Sequence, residues 1–361
     1  MKVLRVINSL GLGGAERSLD TNVPVHISHG LDMDILVLNG ERTPFYENLE
    51  SIGVKIINSY NCSIYNPIHI IKLIKLLRGY DIVHAHLFPS FYWVALAKLL
   101  SFNHRTKLVF TEHSTSNRRM QNHFFKPFDL FIYRFYDIII SISDATTQNL
   151  SGYLGEGKRI ITIPNGVDLR PYQIEWIKQP LFDSADDVVI VTQVAGFRIE
   201  KDQDTVIRAL SLLPDNIHLV FAGDGERINE CKSLSESLGL SQRVHYLGFC
   251  RDIPKIVLNS DIIIMSSHIE GFGRAAVEGM AAKKPVIASD VPGLADVVRG
   301  AGMLFPVRDY KALADIILSL VKDKELYDNI SSACYKRSLQ YSSDKMIKGY
   351  EEVYYSLIKN N

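Results

Sequence analysis

Cysteine is scarce in this chain of 361 residues. Cys62, Cys231, Cys250 and Cys334 lie far apart with no Cys-x-x-Cys spacing, which excludes a zinc knuckle or a vicinal redox pair and fits a reducing compartment. An excess of one charge is also lacking. The 40 Lys and Arg balance the 40 Asp and Glu, so no global basic field gathers nucleic acid by counterion release, and any polyanion must be met locally. Long apolar runs are missing as well: residues 87–102, the most apolar stretch, contain Pro89 and Lys98 and fall short of the about 20 residues that a bilayer span needs. The opening Met1-Lys2-Val3-Leu4-Arg5-Val6-Ile7 reads as a short strand rather than a signal peptide. A cytoplasmic protein is expected, without nucleic-acid partners.

Hydrophobic residues make up 47% and charged residues 22%, ordinary values for a packed fold. The length exceeds what one core organises and predicts two domains of roughly 150 to 180 residues each. Short Val- and Ile-rich runs alternate with segments of helical period, the pattern of parallel strands covered on both faces. Strands are expected at 3–8, 34–38, 54–58, 82–85, 107–111, 138–142 and 159–163. After a polar, proline-bearing linker that runs to residue 187, further strands are expected at 188–195, 218–222, 244–247, 261–265, 285–288 and 302–305. The chain is helical beyond 309, and 345–358 carry an apolar stripe of Met346, Ile347, Tyr350, Val353, Tyr354 and Leu357 with no local partner. The fold class is therefore α/β, with two doubly wound Rossmann-like domains. In such sheets ligands sit beyond the carboxyl ends of the strands, so two sheets facing each other would enclose an interdomain cleft.

Glycine turns follow several strands. Gly11-Leu12-Gly13-Gly14-Ala15-Glu16-Arg17 opens a helix after the first strand, where free N–H groups favour an anion. Glu16 stands where a G-x-G-x-x-G dinucleotide fingerprint needs its third glycine, which lowers an oxidoreductase reading. A tight turn without a ligand explains the same residues. Ala222-Gly223-Asp224-Gly225-Glu226 is a second such turn, with the same two readings. Ser267-His268-Ile269-Glu270-Gly271-Phe272-Gly273-Arg274-Ala275-Ala276-Val277-Glu278 is more informative. Glu270 and Glu278 would grip different hydroxyls of an elongated ligand, and the N–H groups of Phe272, Gly273 and Arg274 would remain for phosphate oxygens between them. Glu270 as a plain helix-start acid is the alternative.

With Glu-x7-Glu around Gly-Phe-Gly, the chain resembles the family 4 (group 1) retaining glycosyltransferases of the GT-B fold. Gly13-Gly14-Ala15-Glu16, Asp81-Ile82-Val83-His84-Ala85-His86, Thr111-Glu112-His113, Ile163-Pro164-Asn165-Gly166-Val167-Asp168 and Lys284-Pro285-Val286-Ile287-Ala288-Ser289 follow the family's order over nearly the whole chain. The resemblance implies an acceptor-binding domain at 1–168, with a terminal helix at about 343–361 packing back on it, and a nucleotide-sugar domain at 169–342. It implies that Glu278 bonds the ribose, that Glu270 accepts donor-sugar hydroxyls, and that the N–H groups around Gly271, Phe272 and Gly273, with Arg274 and Gly223 alongside, hold sugar and diphosphate. Lys201 would neutralise the leaving diphosphate and Gly14 would approach it from the first domain, where Gly13, Glu16 and Asn165 line the acceptor side. His113 would face the donor sugar and position it rather than act as base. The family's usual arginine five residues before the lysine is replaced here by Gly196. If residues 196–198 keep strand geometry, Arg198 shares the face of Gly196 and could supply the guanidinium; otherwise Arg198 is a solvent-facing residue and Lys201 works alone.

The implied reaction is retaining transfer of a hexose or N-acetylhexosamine from a nucleoside diphosphate sugar, a UDP-sugar above others. The acceptor is a saccharide or a polyprenyl-diphosphate-linked saccharide in capsule, O-antigen or exopolysaccharide synthesis. A non-catalytic sugar-nucleotide binding protein is the alternative, with a dinucleotide-dependent oxidoreductase behind it. No cofactor is expected. Asp32-Met33-Asp34 begins a strand, Asp202-Gln203-Asp204 starts a helix, and His84-Ala85-His86 lacks a second cluster, so metal independence is expected. Residues 117–135 mix basic and aromatic side chains. With 17 basic and 14 acidic residues in 1–168 against 23 and 26 beyond, that segment would rest on an anionic membrane at its inner face. A core helix with solvated arginine ends is the other reading.

Overall fold

The computed structural model describes all residues except 12, 115–117, 123, 156, 183–187, 360 and 361. Among them the chain forms two compact units, one of Met1–Gly166 with Ser343–Asn361, the other of Val167–Ser342.

The first unit holds a seven-stranded sheet: β1 Lys2–Ile7, β2 Asp32–Val37, β3 Ile56–Asn58, β4 Ile82–His86, β5 Lys107–Glu112, β6 Ile138–Ser141 and β7 Ile160–Thr162. Its order is β3-β2-β1-β4-β5-β6-β7, with the pairs parallel. Each strand feeds two cores, because successive side chains alternate between faces. Val3 and Ile7 of β1, Ile82 of β4, Val109 of β5 and Ile138 and Ile140 of β6 enter one cluster. Leu4, Val6, Val83, Leu108, Phe110 and Ile139 enter the other. The helix Ser343–Lys359 lies on the first face and contributes Met346, Tyr350, Val353, Tyr354 and Leu357 to that cluster. That supplies the partner its apolar stripe lacked.

The second unit holds β8 Val189–Val194, β9 Ile217–Ala222, β10 Val244–Tyr246, β11 Ile262–Met265, β12 Val286–Ser289 and β13 Met303–Phe305 in the order β10-β9-β8-β11-β12-β13. In each sheet the strand order reverses once, between β1 and β4 and between β8 and β11. At such a switch point the loops on either side part, and a crevice opens beyond the carboxyl ends.

Candidate active site

In the second unit, the loop after β11 leads into the helix Arg274–Ala281, with Gly273 at its N-cap. Phe272 is buried and meets the ring of Tyr341 edge-on at 5.3 Å, which anchors the turn. Glu278, in the second turn of the helix, is 2% exposed. Glu270 is half-buried at the loop; one carboxylate oxygen lies 2.6 Å from Lys201 Nζ and the other accepts the Gly271 N–H at 3.2 Å. The backbone of Glu270 is bridged to Gly293. Gly293 has φ +83°, and a Cβ there would stand 2.5 Å from the Glu270 carbonyl oxygen, so only glycine lets the neighbouring loop support this carboxylate.

Lys201 ends a short 3-10 turn, Ile199–Lys201, that follows β8. Its carbonyl accepts from Gln193 Nε2 at 2.9 Å and from Ser266 Oγ at 2.8 Å, which ties the lysine turn to the ends of β8 and β11. Asp202 caps the helix Gln203–Leu210 and meets His268 Nε2 at 2.7 Å, while Asp204 pairs with Arg227 at 3.0 Å. The strand geometry on which a role for Arg198 depended is absent. β8 ends at Val194, and the Arg198 N–H turns back to the Gly196 carbonyl at 3.0 Å. Arg198 is exposed, and its Nε lies 4.0 Å from where a Cβ on Gly196 would stand, an ordinary contact distance. Gly223 has a packing reason of its own: a Cβ there would fall 2.0 Å from the Ala195 carbonyl oxygen. The plain-turn reading is enough to explain it.

In the first unit, Gly13 caps the helix Gly14–Ser28 after β1, and a Cβ on the exposed Gly14 would meet nothing within 4 Å. A Cβ on Gly13 would fall 2.2 Å from a carboxylate oxygen of Glu16, so that side chain folds over the turn; Leu12 lies outside the described residues. Asn165 follows β7, is buried, and its Oδ1 has no partner among the described residues. His113 follows β5 and is partly exposed, with Nε2 3.0 Å from His86 Nδ1. Burial, and then the nearby Arg5 charge, push its pKa down to about 4. Glu112 beside it is buried, and that raises its pKa to about 7 although Arg119 lies 3.7 Å away.

Arg119 corrects the picture of a basic face over residues 117–135: it is buried, paired with Asp129 and set over the Phe91 ring at 4.8 Å. Phe124, Phe125, Phe128 and Phe131 are exposed beside the exposed Arg134, while Ile132 and Tyr133 are buried, so each reading holds for part of the segment. Asn117 and His123, with the side chains of Arg118 and Gln121, lie outside what is described.

Sequence reasoning gave no role to Arg5, Gln193, Ser266 and Gly293, and it read His86 as a structural residue of a family motif rather than as a metal ligand. A charged residue inside the apolar run Val3-Leu4-Arg5-Val6-Ile7 was the available signal for Arg5. Its guanidinium lies 2.8 Å from His84 Nδ1 and 3.0 Å from His86 Nε2; that permanent cation takes the place a metal would need.

The chain matches the model for glycosyl transferases group 1 over residues 175–337 and that for glycosyltransferase family 4 over residues 12–170. The chain belongs to the family 4, group 1 glycosyltransferases. This glycosyltransferase is 29% identical over 291 residues to the putative glycosyltransferase EpsD of Bacillus subtilis, with 76% of each chain covered. It is also 29% identical over 231 residues to the Campylobacter jejuni N,N'-diacetylbacillosaminyl-diphospho-undecaprenol alpha-1,3-N-acetylgalactosaminyltransferase, covering 62% of this chain and 61% of that one. Its fold is GT-B. The crystal structure of Anabaena HepE in complex with UDP superposes with a TM-score of 0.84 at 23% identity, over 99% of this chain and 100% of that one. Among the described residues, no helix of this glycosyltransferase is long and apolar enough to cross a membrane.

Proposed function

We propose that this glycosyltransferase moves a hexose or N-acetylhexosamine from a UDP-sugar to a saccharide or polyprenyl-diphosphate-linked saccharide in surface polysaccharide synthesis, with retention at the anomeric carbon. The observation that carries this reading is the Lys201–Glu270 pair at 2.6 Å beside the Gly271 to Arg274 turn and the buried Glu278. A diphosphate near Lys201 would compete with Glu270 for the ammonium and leave that carboxylate to accept sugar hydroxyls, while Glu278 takes the ribose. Arg198 is assigned a supporting contact to the diphosphate, Gly14 a contact to the donor, and Gly13, Glu16 and Asn165 contacts to the acceptor. The donor and acceptor classes draw on relatives: HepE is known in complex with UDP-glucose, and the Campylobacter enzyme is named for a polyprenyl-diphosphate acceptor.

The bond from the anomeric carbon to the diphosphate oxygen breaks with its electron pair going to the phosphate. The acceptor oxygen bonds to the same carbon, and its proton passes to a phosphate oxygen. A fixed cation at the leaving group stabilises the charge as it develops, worth about 3 kcal/mol or roughly two orders of magnitude in rate. No metal is assigned a part, since Asp32 and Asp34 pair with Lys2 and Lys55 and Asp204 pairs with Arg227.

The test is release of nucleotide and transfer of sugar from a panel of UDP-, GDP- and dTDP-sugars, with and without a polyprenyl-diphosphate saccharide. UDP at 100 times its Kd should raise stability by about 2.7 kcal/mol. His113→Ala should cut turnover and spare UDP binding. A protein that shows neither transfer nor stabilisation by any of these nucleotides refutes the reading. The exposed Phe124, Phe125, Phe128 and Phe131 support contact with an anionic membrane, and absence of flotation with anionic liposomes at low salt refutes that part.

A further inference from the structure

Arg5 is 1% exposed in the middle of the first sheet, and among the described residues no carboxylate lies within ion-pair distance of it. Its neighbours are imidazoles. Alternation along the strands puts Arg5 of β1, His84 and His86 of β4 and Thr111 of β5 on the face covered by the helix Ser343–Lys359, and the register sets Arg5 beside His84 and His86 beside Thr111. His113 follows Thr111 by two residues, on the same face. The helix supplies Tyr350 and Tyr354, whose ring centroids lie 5.0 and 5.4 Å from the guanidinium carbon. One nitrogen, Nη1, lies 2.8 Å from His84 Nδ1 and 3.0 Å from His86 Nε2, and Nη2 lies 3.4 Å from His26 Nε2.

A guanidinium has five donors and no acceptor and does not lose its proton, whereas a neutral imidazole has one donor nitrogen and one acceptor nitrogen. Each ring nitrogen that faces Arg5 must therefore accept, and each opposite nitrogen must carry the proton. The far partners agree. His84 Nε2 faces Thr111 Oγ1 at 2.7 Å, and His26 Nδ1 faces the Glu351 carboxylate at 3.0 Å; both oxygens can accept. His86 Nδ1 faces His113 Nε2 at 3.0 Å.

We propose that Arg5 is a positioning residue that sets the tautomer of His113. By occupying His86 Nε2 it makes His86 donate from Nδ1, so that His113 Nε2 accepts and the His113 proton resides on Nδ1. His113 then presents an N–H donor and has no free basic nitrogen. This rests on the transferase reading, in which that donor meets an oxygen of the donor sugar and the acceptor's proton goes to the departing phosphate. Burial first and the Arg5 charge second hold His86 and His113 well below the usual histidine range, which keeps both rings neutral.

The deciding experiment is a long-range proton–nitrogen correlation spectrum of the full-length protein labelled with nitrogen-15 histidine. The His113 signals are identified by their loss in His113→Asn. Nδ1–H on His86 and His113 with Nε2–H on His84 is expected at pH 7; Nε2–H on His113, or a doubly protonated ring, overturns the proposal. In Arg5→Met, His113 should change to a mixture of tautomers, with turnover lower by roughly tenfold or more and UDP affinity unchanged. Arg5→Lys, whose ammonium likewise only donates, should restore the single form. A single Nδ1–H form persisting in Arg5→Met overturns the role of Arg5, and if that variant does not fold, the wild-type spectrum still decides the tautomer. The Asn amide nitrogen can stand where Nδ1 stood and the Gln amide where Nε2 stood. His113→Asn should therefore retain roughly tenfold more turnover than His113→Gln, and the reverse order overturns the donor role. The spectra require no transfer activity. A protein with the expected tautomers but no transfer refutes the transferase reading alone, and transfer with the other tautomer refutes this proposal alone.

Discussion

Acidification from pH 7 to pH 5 should unfold the first unit, because that unit holds four histidines in neutral form, with His26, His84 and His86 buried and His113 partly so. Burial holds His26 down to about 2 and His113 to about 4, with His84 and His86 well below their ordinary value of 6.5. A group with a depressed folded pKa takes up its proton only on unfolding, so the stability is present above pH 6.5 and is lost as pH falls toward the folded values. At pH 5 an unfolded histidine gains about 2 kcal/mol from protonation, against about 0.2 kcal/mol at pH 7. Four such groups lose about 7 kcal/mol together. Glu112 opposes them: its folded pKa is raised to about 7 from 4.5, so its contribution is present below pH 4.5, is lost as pH rises through 7, and returns about 2 kcal/mol on acidification. The histidines win by about 5 kcal/mol, comparable to the whole stability of many domains. The two tryptophans fall one in each unit, so Trp176→Phe leaves Trp93, whose indole donates to the Ile64 carbonyl at 2.8 Å, as the reporter of the first unit. Urea unfolding followed by Trp93 fluorescence at pH 7 and pH 5 gives the difference. A loss below about 2 kcal/mol, the share of one histidine, refutes the buried neutral cluster. Glu112→Gln should enlarge the loss by about 2 kcal/mol.

Lys201→Met removes the cation at 2.6 Å from Glu270 and should lower kcat by about two to three orders of magnitude, measured as UDP release from the active donor. Gly293→Ala should lower the stability of the second unit by about 1 to 3 kcal/mol in thermal unfolding, since φ +83° and the Glu270 carbonyl at 2.5 Å both oppose a Cβ. Ending the chain at Ser342 removes Met346, Ile347, Tyr350, Val353, Tyr354 and Leu357, all buried. At about 1.5 to 3 kcal/mol for each large apolar side chain, that exceeds the stability of a domain, and Trp93 should then show no cooperative transition.

The thirteen strands were legible because a buried parallel strand must be apolar along its length, and runs such as Ile138-Ile139-Ile140 admit few other structures. The loop from Glu270 to Glu278 was legible too, because its glycines and carboxylates are contiguous in the chain. Arg198 shows where local inference ended. Whether residues 196–198 extend β8 or turn away depends on the neighbouring loop at Gly223, which the chain reaches only after another helix and strand. The mixed fate of residues 117–135 has a related origin, since Arg119 folds back onto Asp129 of the same segment and is covered by Phe91, which lies outside it.

By itself, then, the sequence determined the alternation of strands and helices, the apolar stripe at the end of the chain, and the motifs of a family 4 glycosyltransferase. These follow from periodicity and from residues close together in the chain. Only the tertiary structure decided that the stripe covers the first sheet, that Lys201 meets Glu270 across 69 positions, and that Arg5 meets His86 across 81 positions while His86 meets His113 across 27. Such contacts arise from strand register and from which face each side chain takes. Those depend on how the strands pair, and nothing local in the chain records it.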